Sequence, residues 1–323
     1  MFASRHTRAL LVGLLCSAST SLAAGPTGEE PGATALPSAP PPTDIPARRL
    51  NVDHFVGAGY NPSVAEYRSR INYKQRLGQS EELLWRDTFL SVGSHVRLNP
   101  SYTAVGPMVE WQPIAVFNLK ALVDAYGFFG SVGMLQSFRS PLDEHSDAVR
   151  STREKAGENY ATLGWHAMIQ PTLQAKVGPV AVQNVFSLDY FSMRLRGEDT
   201  LWYDAGPDTL LPGRGFMLTE AVNVVYMAGP LTVGGTFRYL LPLYGQEHFR
   251  PGEDVRAVNN SNTRLGVIAA YTFFDGGYSS FNHPSVFITA NWHLNHRYRA
   301  GVESSQAIPF VALGFSAQQD FAF

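Results

Sequence analysis

The dominant pattern along this chain is the alternation of apolar and polar positions, with the period of two that defines a β-strand. Between Phe117 and Phe129 every second residue is apolar or glycine, and the other face carries Asn118, Lys120 and Asp124. Comparable alternation runs over 161–177, 232–243, 264–273 and 286–294. Strands of soluble proteins usually have about five or six residues, whereas a tilted strand needs about nine to eleven to cross a lipid bilayer. The length of the alternation therefore predicts membrane-crossing strands.

The connections between these strands are of two kinds. Gly178-Pro179 and Gly229-Pro230 make compact turns, and Pro113 within Trp111–Ile114 indicates a third. Long polar connections follow at 130–158, 196–213, 246–262 and 296–305. Short turns at one end and long loops at the other are typical of a β-barrel in a membrane.

Counting strands predicts an all-β fold, a single transmembrane antiparallel up-and-down β-barrel of about twelve strands with both termini at the short-turn end. The first strand is the weakest, because Gly57 and Gly59 interrupt its alternation. Ten strands, with residues 48–85 outside the barrel, is the alternative. The predicted strands are 52–60, 65–77, 86–98, 102–112, 115–129, 159–177, 180–194, 214–227, 231–244, 263–274, 284–295 and 307–323.

The amino-terminal segment has a basic start, an apolar run of about nine residues and small residues at its exit, which is the pattern of a secretory signal peptide. We assign residues 1–24 to this peptide, 25–50 to a Pro-rich periplasmic linker and 51–323 to the barrel. Cys16 falls within the signal peptide, so the exported chain carries no cysteine. Burial and strand pairing must then stabilise the protein without a disulfide.

Composition agrees with a chain that has little water-facing surface. Charged residues make up 16% of the sequence, against about a quarter in typical soluble domains. The formal net charge is −2, which gives no support to a nucleic-acid partner.

The carboxyl end alternates up to its last residue. Leu313, Phe315, Phe321 and Phe323 share one face of the final segment. This pattern resembles the carboxyl-terminal signal that the barrel assembly machinery recognises in Gram-negative outer-membrane proteins. The resemblance implies an outer-membrane location, short periplasmic turns, long extracellular loops, and membrane lipid and the assembly machinery as partners.

Three further segments, Tyr73–Leu77, Glu110–Pro113 and Leu135–Phe138, together resemble a group of myxobacterial-type outer-membrane barrel proteins. The resemblance covers about the first third of the barrel. It implies a fold and a location, and it brings no activity or site with it.

The polar faces of the strands supply candidate lumen residues. Arg68, Arg70, Lys74 and Arg76 share one face of the second strand, and a basic ladder would favour anionic solutes in a pore. We favour the alternative that lumen carboxylates such as Asp124 or Asp189 pair with these cations and fill the barrel. The full candidate set is Arg68, Arg70, Lys74, Arg76, Lys120, Asp124, His166, Asp189, Arg238, Arg264 and His293.

Catalytic and metal-binding patterns are weak. His283-Pro284-Ser285, with Asn291 downstream, has a His-x-Ser spacing found in lipid hydrolases, but we expect it at the periplasmic end of the barrel. The acidic residues Glu198, Asp199, Asp204 and Asp208 could bind calcium, although a solvated loop is the favoured interpretation. No metal-site spacing and no cofactor motif is present, and we expect no enzyme.

Inward side chains nearly fill a barrel of about twelve strands. We therefore expect a narrow passive pore for small solutes or a closed structural barrel. The alternatives are an outer-membrane lipid hydrolase and a surface adhesion or scaffold barrel.

Overall fold

Twelve long antiparallel strands pair with their neighbours to form one closed barrel. The computed structural model describes residues 45–78, 80, 82, 84–278 and 280–323. The predicted signal peptide and most of the predicted linker lie outside the described residues. A separate three-stranded sheet is formed by short strands within two of the long loops.

The strands of the barrel alternate between outward and inward side chains, except at the register shifts that affect β4, β13 and β14. Within the described ranges, no helix is both long enough and apolar enough to cross a membrane. The elements in chain order are β1 Arg48–Tyr60, β2 Val64–Arg76, β3 Phe89–Asn99, β4 Tyr102–Ile114, β5 Phe117–Phe129, β6 Ser137–Phe138, helix α1 Asp147–Lys155, β7 Ala161–Val177, β8 Val180–Met193, β9 Leu201–Asp204, β10 Thr209–Pro212, β11 Arg214–Ala228, β12 Leu231–Leu243, two 3-10 turns at Gln246–His248 and Val255–Ala257, β13 Asn262–Thr272, β14 Asn282–Asn295 and β15 Phe310–Ala322.

The prediction of twelve barrel strands is confirmed, and the ten-strand alternative is wrong. Strand β1 pairs with β2 on one side and with β15 on the other, so residues 48–85 contribute two strands to the barrel. β1 begins at Arg48, which moves the start of the barrel into the segment assigned to the linker. Strand β1 continues through Gly57 and Gly59. A Cβ at these positions would lie 2.9 Å from the ring of Phe55 and 2.7 Å from that of Phe310, so glycine leaves room for the two rings.

The third predicted tight turn is displaced by two residues. Pro113 lies inside β4, and the turn to β5 is formed by Ala115 and Val116. The pairing of β4 with β5 shifts its register between Trp111 and Ile114. A proline cannot donate to a strand ladder, and an irregularity of this kind accommodates it without ending the strand.

Large apolar side chains cover the outer wall of the barrel between two aromatic zones. Near the long-loop end, Tyr190 packs against Trp165 and Phe216, with ring centroids 5.0 and 4.9 Å apart. Phe216 belongs to β11, and near the short-turn end of β11 the side chain of Tyr226 is exposed. The ten residues from Phe216 to Tyr226, at about 3.3 Å each and tilted by about 40°, span about 25 Å, the height of a barrel's lipid-facing band.

One acidic side chain interrupts this apolar wall. Glu220 faces outward on β11, because its neighbours Thr219 and Ala221 occupy the inward positions. It lies between the two aromatic zones and accepts a hydrogen bond of 3.0 Å from the Asn184 side chain on β8. A carboxylate facing lipid at this depth lowers the stability of the barrel.

Replacing the pair by leucine, Glu220→Leu with Asn184→Leu, should raise the free energy of unfolding by about 1 to 2 kcal/mol, because lipid then meets only apolar groups. Urea unfolding in vesicles, followed by heat-modifiable gel migration, measures this change. Glu247→Leu, at a loop carboxylate whose side chain is 72% exposed, serves as the control and should leave stability unchanged. A double variant less stable than the wild type would contradict the outward, lipid-facing position.

Candidate lumen site and its plug

The small sheet closes the long-loop end of the barrel from within. Strand β9 pairs with β6 and with β10, and we call these three strands the plug. Trp202 of β9 is fully buried and its indole lies 5.3 Å from the ring of Phe128 and 5.8 Å from that of Phe191, which are lumen residues of the barrel. The plug therefore packs against the lumen wall and shares one apolar core with it.

The favoured interpretation of Glu198, Asp199, Asp204 and Asp208 as residues of a solvated loop is wrong for Asp204 and Asp208, whereas the Glu198 side chain is 80% exposed. Asp204 and Asp208 are 7% and 3% exposed, and Glu198 and Asp199 contact Arg139. No group of potential metal ligands forms among the described residues. Two short apolar runs, 201–203 and 210–211, were the signal that the loop at 196–213 folds inward.

A three-residue ion cluster, here called the latch, fastens the loops to one another. Arg299 donates to Asp208 through Nε at 2.5 Å and to both carboxylate oxygens of Asp147 at 2.8 Å. Asp208 precedes β10, Asp147 begins α1, and Arg299 lies in the loop between β14 and β15. The guanidinium thereby joins three loops that are far apart in sequence.

Further contacts extend this interlocking to the fourth long loop. Arg297 donates to the backbone carbonyls of Pro141 and Leu142 and to the side chain of Asn260, at 3.1, 2.9 and 3.3 Å. Glu303 accepts hydrogen bonds from the first backbone amides of α1, at Asp147 and Ala148. Such a carboxylate satisfies amides that have no partner within the helix and interacts favourably with its dipole.

Burial and charge act in opposite directions on the two plug carboxylates. Burial raises the pKa of Asp204 to about 6, although the backbone amide of Gly206 donates to it at 2.8 Å. Burial also opposes ionisation of Asp208, but His296 and the Arg299 guanidinium hold its pKa well below the usual range. The plug thus keeps one carboxylate ionised and disfavours ionisation of the other.

The basic ladder of β2 faces inward and pairs with carboxylates. Arg68 lies 2.7 Å from Glu66, and Arg70 lies 3.3 Å from Asp53. Arg97 of β3 also donates to Glu66, at 2.7 Å. Cations and carboxylates therefore pair in the lumen, but through Glu66 and Asp53, and not through Asp124 or Asp189 as the sequence suggested.

Asp124 and Asp189 instead belong to a buried chain of alternating acids and imidazoles. Asp124 lies 3.1 Å from the Nδ1 atom of His95 and 3.4 Å from that of His166. The Nε2 atom of His166 lies 2.7 Å from Asp189, which also accepts a hydrogen bond from Ser187. His95, Arg97 and Glu66 were not among the candidates, although each occupies the inward phase of its strand.

The other candidates are spread around the wall. Lys74 lies 5.1 Å from the ring of Phe89, and Arg264 lies 5.0 Å from that of Phe310. His293 Nε2 lies 3.3 Å from the carbonyl oxygen of Asn61. Lys120 is buried, Arg238 is half-buried, and Arg76 donates to the carbonyls of Ile45 and Ser80.

The His283-Pro284-Ser285 motif does not form a nucleophile and base pair in this structure. The Ser285 hydroxyl donates to the backbone carbonyl of His283 at 3.0 Å and lies 2.9 Å from the Thr272 hydroxyl. The His283 imidazole lies 3.4 Å from Asp275. The motif follows the β13–β14 turn, at the short-turn end.

The carboxyl-terminal residues lie on the outer wall at the barrel seam. The Phe323 backbone amide lies 3.4 Å from the Arg48 carbonyl, and its ring lies 6.0 Å from that of Tyr73. Their recognition by the assembly machinery stays a prediction. Leu313, Phe315, Phe321 and Phe323 are all exposed, by 37% to 71%.

A closed barrel with an apolar outer band, aromatic borders and a polar interior is a transmembrane β-barrel, because it pairs every strand and presents to lipid a largely apolar wall, which Glu220 and Asn184 interrupt. No family model matches the chain, and no curated protein matches it. A similar solved structure is an outer-membrane channel from Pseudomonas putida F1, with 9% identity and a TM-score of 0.44, which covers 88% of this chain and 100% of that one. The translocator domain of the autotransporter NalP from Neisseria meningitidis has 12% identity and a TM-score of 0.36, and covers 87% of this chain and 90% of that one. LpxR from Salmonella typhimurium has 10% identity and a TM-score of 0.38, and covers 84% of this chain and 100% of that one. Likenesses at these TM-scores carry no assignment of function to this chain.

The variant Asp204→Asn should abolish a pH dependence of stability. In the unfolded wild type this carboxyl ionises near pH 4, whereas in the plug it resists ionisation up to about pH 6. Wild-type stability should therefore fall, by about 2 to 3 kcal/mol, as the pH rises through this window. Urea unfolding at about pH 4 and about pH 7 measures the difference.

Glu198→Gln, at a loop carboxylate whose side chain is 80% exposed, is the matched control and should keep the wild-type pH dependence. If Asp204→Asn lost stability between about pH 4 and about pH 7 as the wild type does, burial of the Asp204 carboxyl would not be the cause of the pH dependence.

Proposed function

We propose that this chain is an outer-membrane protein that forms a narrow pore for small solutes, held closed at its outer mouth by its own loops. The observation that carries the proposal is a charged, polar lumen beneath an apolar plug whose two loops are joined through the Arg299 guanidinium. A barrel filled only for stability has no need of a separate folded sheet across its mouth. Arg299, in the β14–β15 loop, pairs with Asp147 and Asp208, which lie in the two loops that contain the plug strands.

The outer-membrane location and the orientation rest on the barrel itself. The strands are long enough for a bilayer, and the outer wall is apolar between its aromatic zones. Both ends of the described barrel lie at the short-turn end, which in membranes of this kind faces the periplasm. The plugged end then faces outward. The three segments that resemble myxobacterial-type barrels lie in β2, in β4 and at β6, and we include membership of that group in the proposal.

Solute preference follows from the pairing of the basic ladder. Arg68 and Arg70 have carboxylate partners, so the field along this wall is weaker than the cations alone would produce. We propose weak anion preference. Lys74 and Arg264 lie over the rings of Phe89 and Phe310 on the inner wall.

A closed structural barrel is the second candidate, favoured by the full burial of Trp202, Leu210 and Leu211 in the mouth. A lipid hydrolase has less support, because the Ser285 hydroxyl contacts a backbone carbonyl and a threonine.

The variant Arg299→Ala should increase channel opening. It leaves buried Asp208 with the His296 imidazole beside it but without the guanidinium, and it breaks the link to Asp147, which destabilises the plug by about 3 kcal/mol. In planar bilayers, wild-type protein should show rare small current steps, and the variant should show them at least about tenfold more often. Recordings in symmetrical salt measure the opening frequency.

Arg250→Ala removes a cation that pairs with Asp143 in the same loops but whose side chain is 46% exposed, and such pairs contribute little. It should behave like the wild type. Silent membranes with both the wild type and Arg299→Ala would reject the pore and leave the closed structural barrel.

A further inference from the structure

A cavity of about 910 Å³ opens on the outside of the barrel, near the aromatic zone at the long-loop end. It lies where β7, β8 and β11 reach the long-loop end, beneath the loop that contains His248. The cavity opens on the outer face of the sheet, since Trp165, Ser192 and Arg214 in its lining belong to the outward rows of β7, β8 and β11.

Two arginines, Arg194 and Arg214, line the edge of the cavity that is nearest the long loops. Arg214 is paired with Ser192 across β11 and β8, and Arg194 follows two residues beyond Ser192. Diagonal neighbours of this kind have Cα atoms about 7 to 8 Å apart, so both guanidiniums can reach one phosphate. Both residues are exposed, and neither side chain has a hydrogen bond or ion pair with another described residue.

The lower part of the lining is apolar and continuous with the lipid-facing wall. Leu163 and Trp165 are 60% and 44% exposed on the outward row of β7. An acyl chain lying against the barrel would contact these two side chains. The cavity therefore combines a cationic edge with an apolar floor, as a phosphorylated lipid requires.

Two acidic residues in the lining do not cancel the arginines. Asp199 accepts a hydrogen bond of 2.5 Å from Ser137 and lies 3.8 Å from Arg139. Glu247 lies 3.5 Å from the His248 ring and points its carboxylate largely to solvent. The two guanidiniums remain the cations available to a ligand.

We propose that this cavity binds the phosphorylated headgroup of a lipid in the outer leaflet, with Arg194 and Arg214 sharing one phosphate and an acyl chain lying on Leu163 and Trp165. The inference rests on the proposed outward orientation of the long loops. It does not depend on conduction through the lumen. Lipid binding at this edge would hold the β8–β11 loop, which carries the plug, against the membrane surface.

The full chain, reconstituted in phosphatidylcholine nanodiscs that contain a minority of phosphatidic acid, tests the proposal. After mild extraction, native mass spectrometry should show phosphatidic acid retained on the wild type in preference to phosphatidylcholine. The double variant R194Q/R214Q should weaken this retention by at least about tenfold. R256Q removes an equally exposed arginine from a neighbouring loop outside the cavity lining and should retain the lipid.

A competition experiment on the wild-type protein distinguishes binding of a phosphorylated lipid from binding of a free phosphate. Inorganic phosphate and glycerol 3-phosphate should not displace the lipid, whereas short-chain phosphatidic acid should. Equal retention by R194Q/R214Q and R256Q would overturn the proposal, as would displacement by inorganic phosphate or equal retention of phosphatidylcholine. If the lipid result holds while bilayers stay silent, only the proposed pore fails.

Discussion

The constraint on which this structure depends is that lipid offers no hydrogen bonds to a polypeptide backbone. Each strand must therefore have a partner on both sides, and the first strand must pair with the last. β1 and β15 meet this requirement over a register that runs from Arg49 opposite Ala322 to Tyr60 opposite Val311. The amide of Phe323 extends the contact to Arg48.

Closure of the barrel also determines which side chains fill its interior. Twelve strands enclose a space that side chains nearly fill, and alternation places every polar face of the sheet inside it. The charges that result must be paired, and they pair locally: Arg97 and Arg68 with Glu66, and His166 with two aspartates. The inner wall near the long-loop end includes the apolar residues Phe128 and Phe191. That apolar lining is the surface against which the plug can pack.

The period-two pattern was enough to predict the barrel and its twelve strands, because alternation is a local property of a strand. Pairing within the lumen was not predictable, since Glu66 and Arg97 are brought together by strand register and barrel curvature. The plug was missed for a different reason. Four-residue strands such as β9 carry too little alternation to stand out, and Asp204 and Asp208 gave their loop a polar appearance that burial contradicts.

The position of the latch in the chain has a consequence for the order of assembly. Arg297, Arg299 and Glu303, which fasten the plug, all lie in the last loop, immediately before β15. The earlier loops that form the plug therefore precede their fastener in synthesis and in export. The same carboxyl-terminal hairpin therefore supplies both the strand that closes the wall and the guanidinium that joins the loops, so a chain that lacks this hairpin loses the seal of the mouth together with the closure of the sheet.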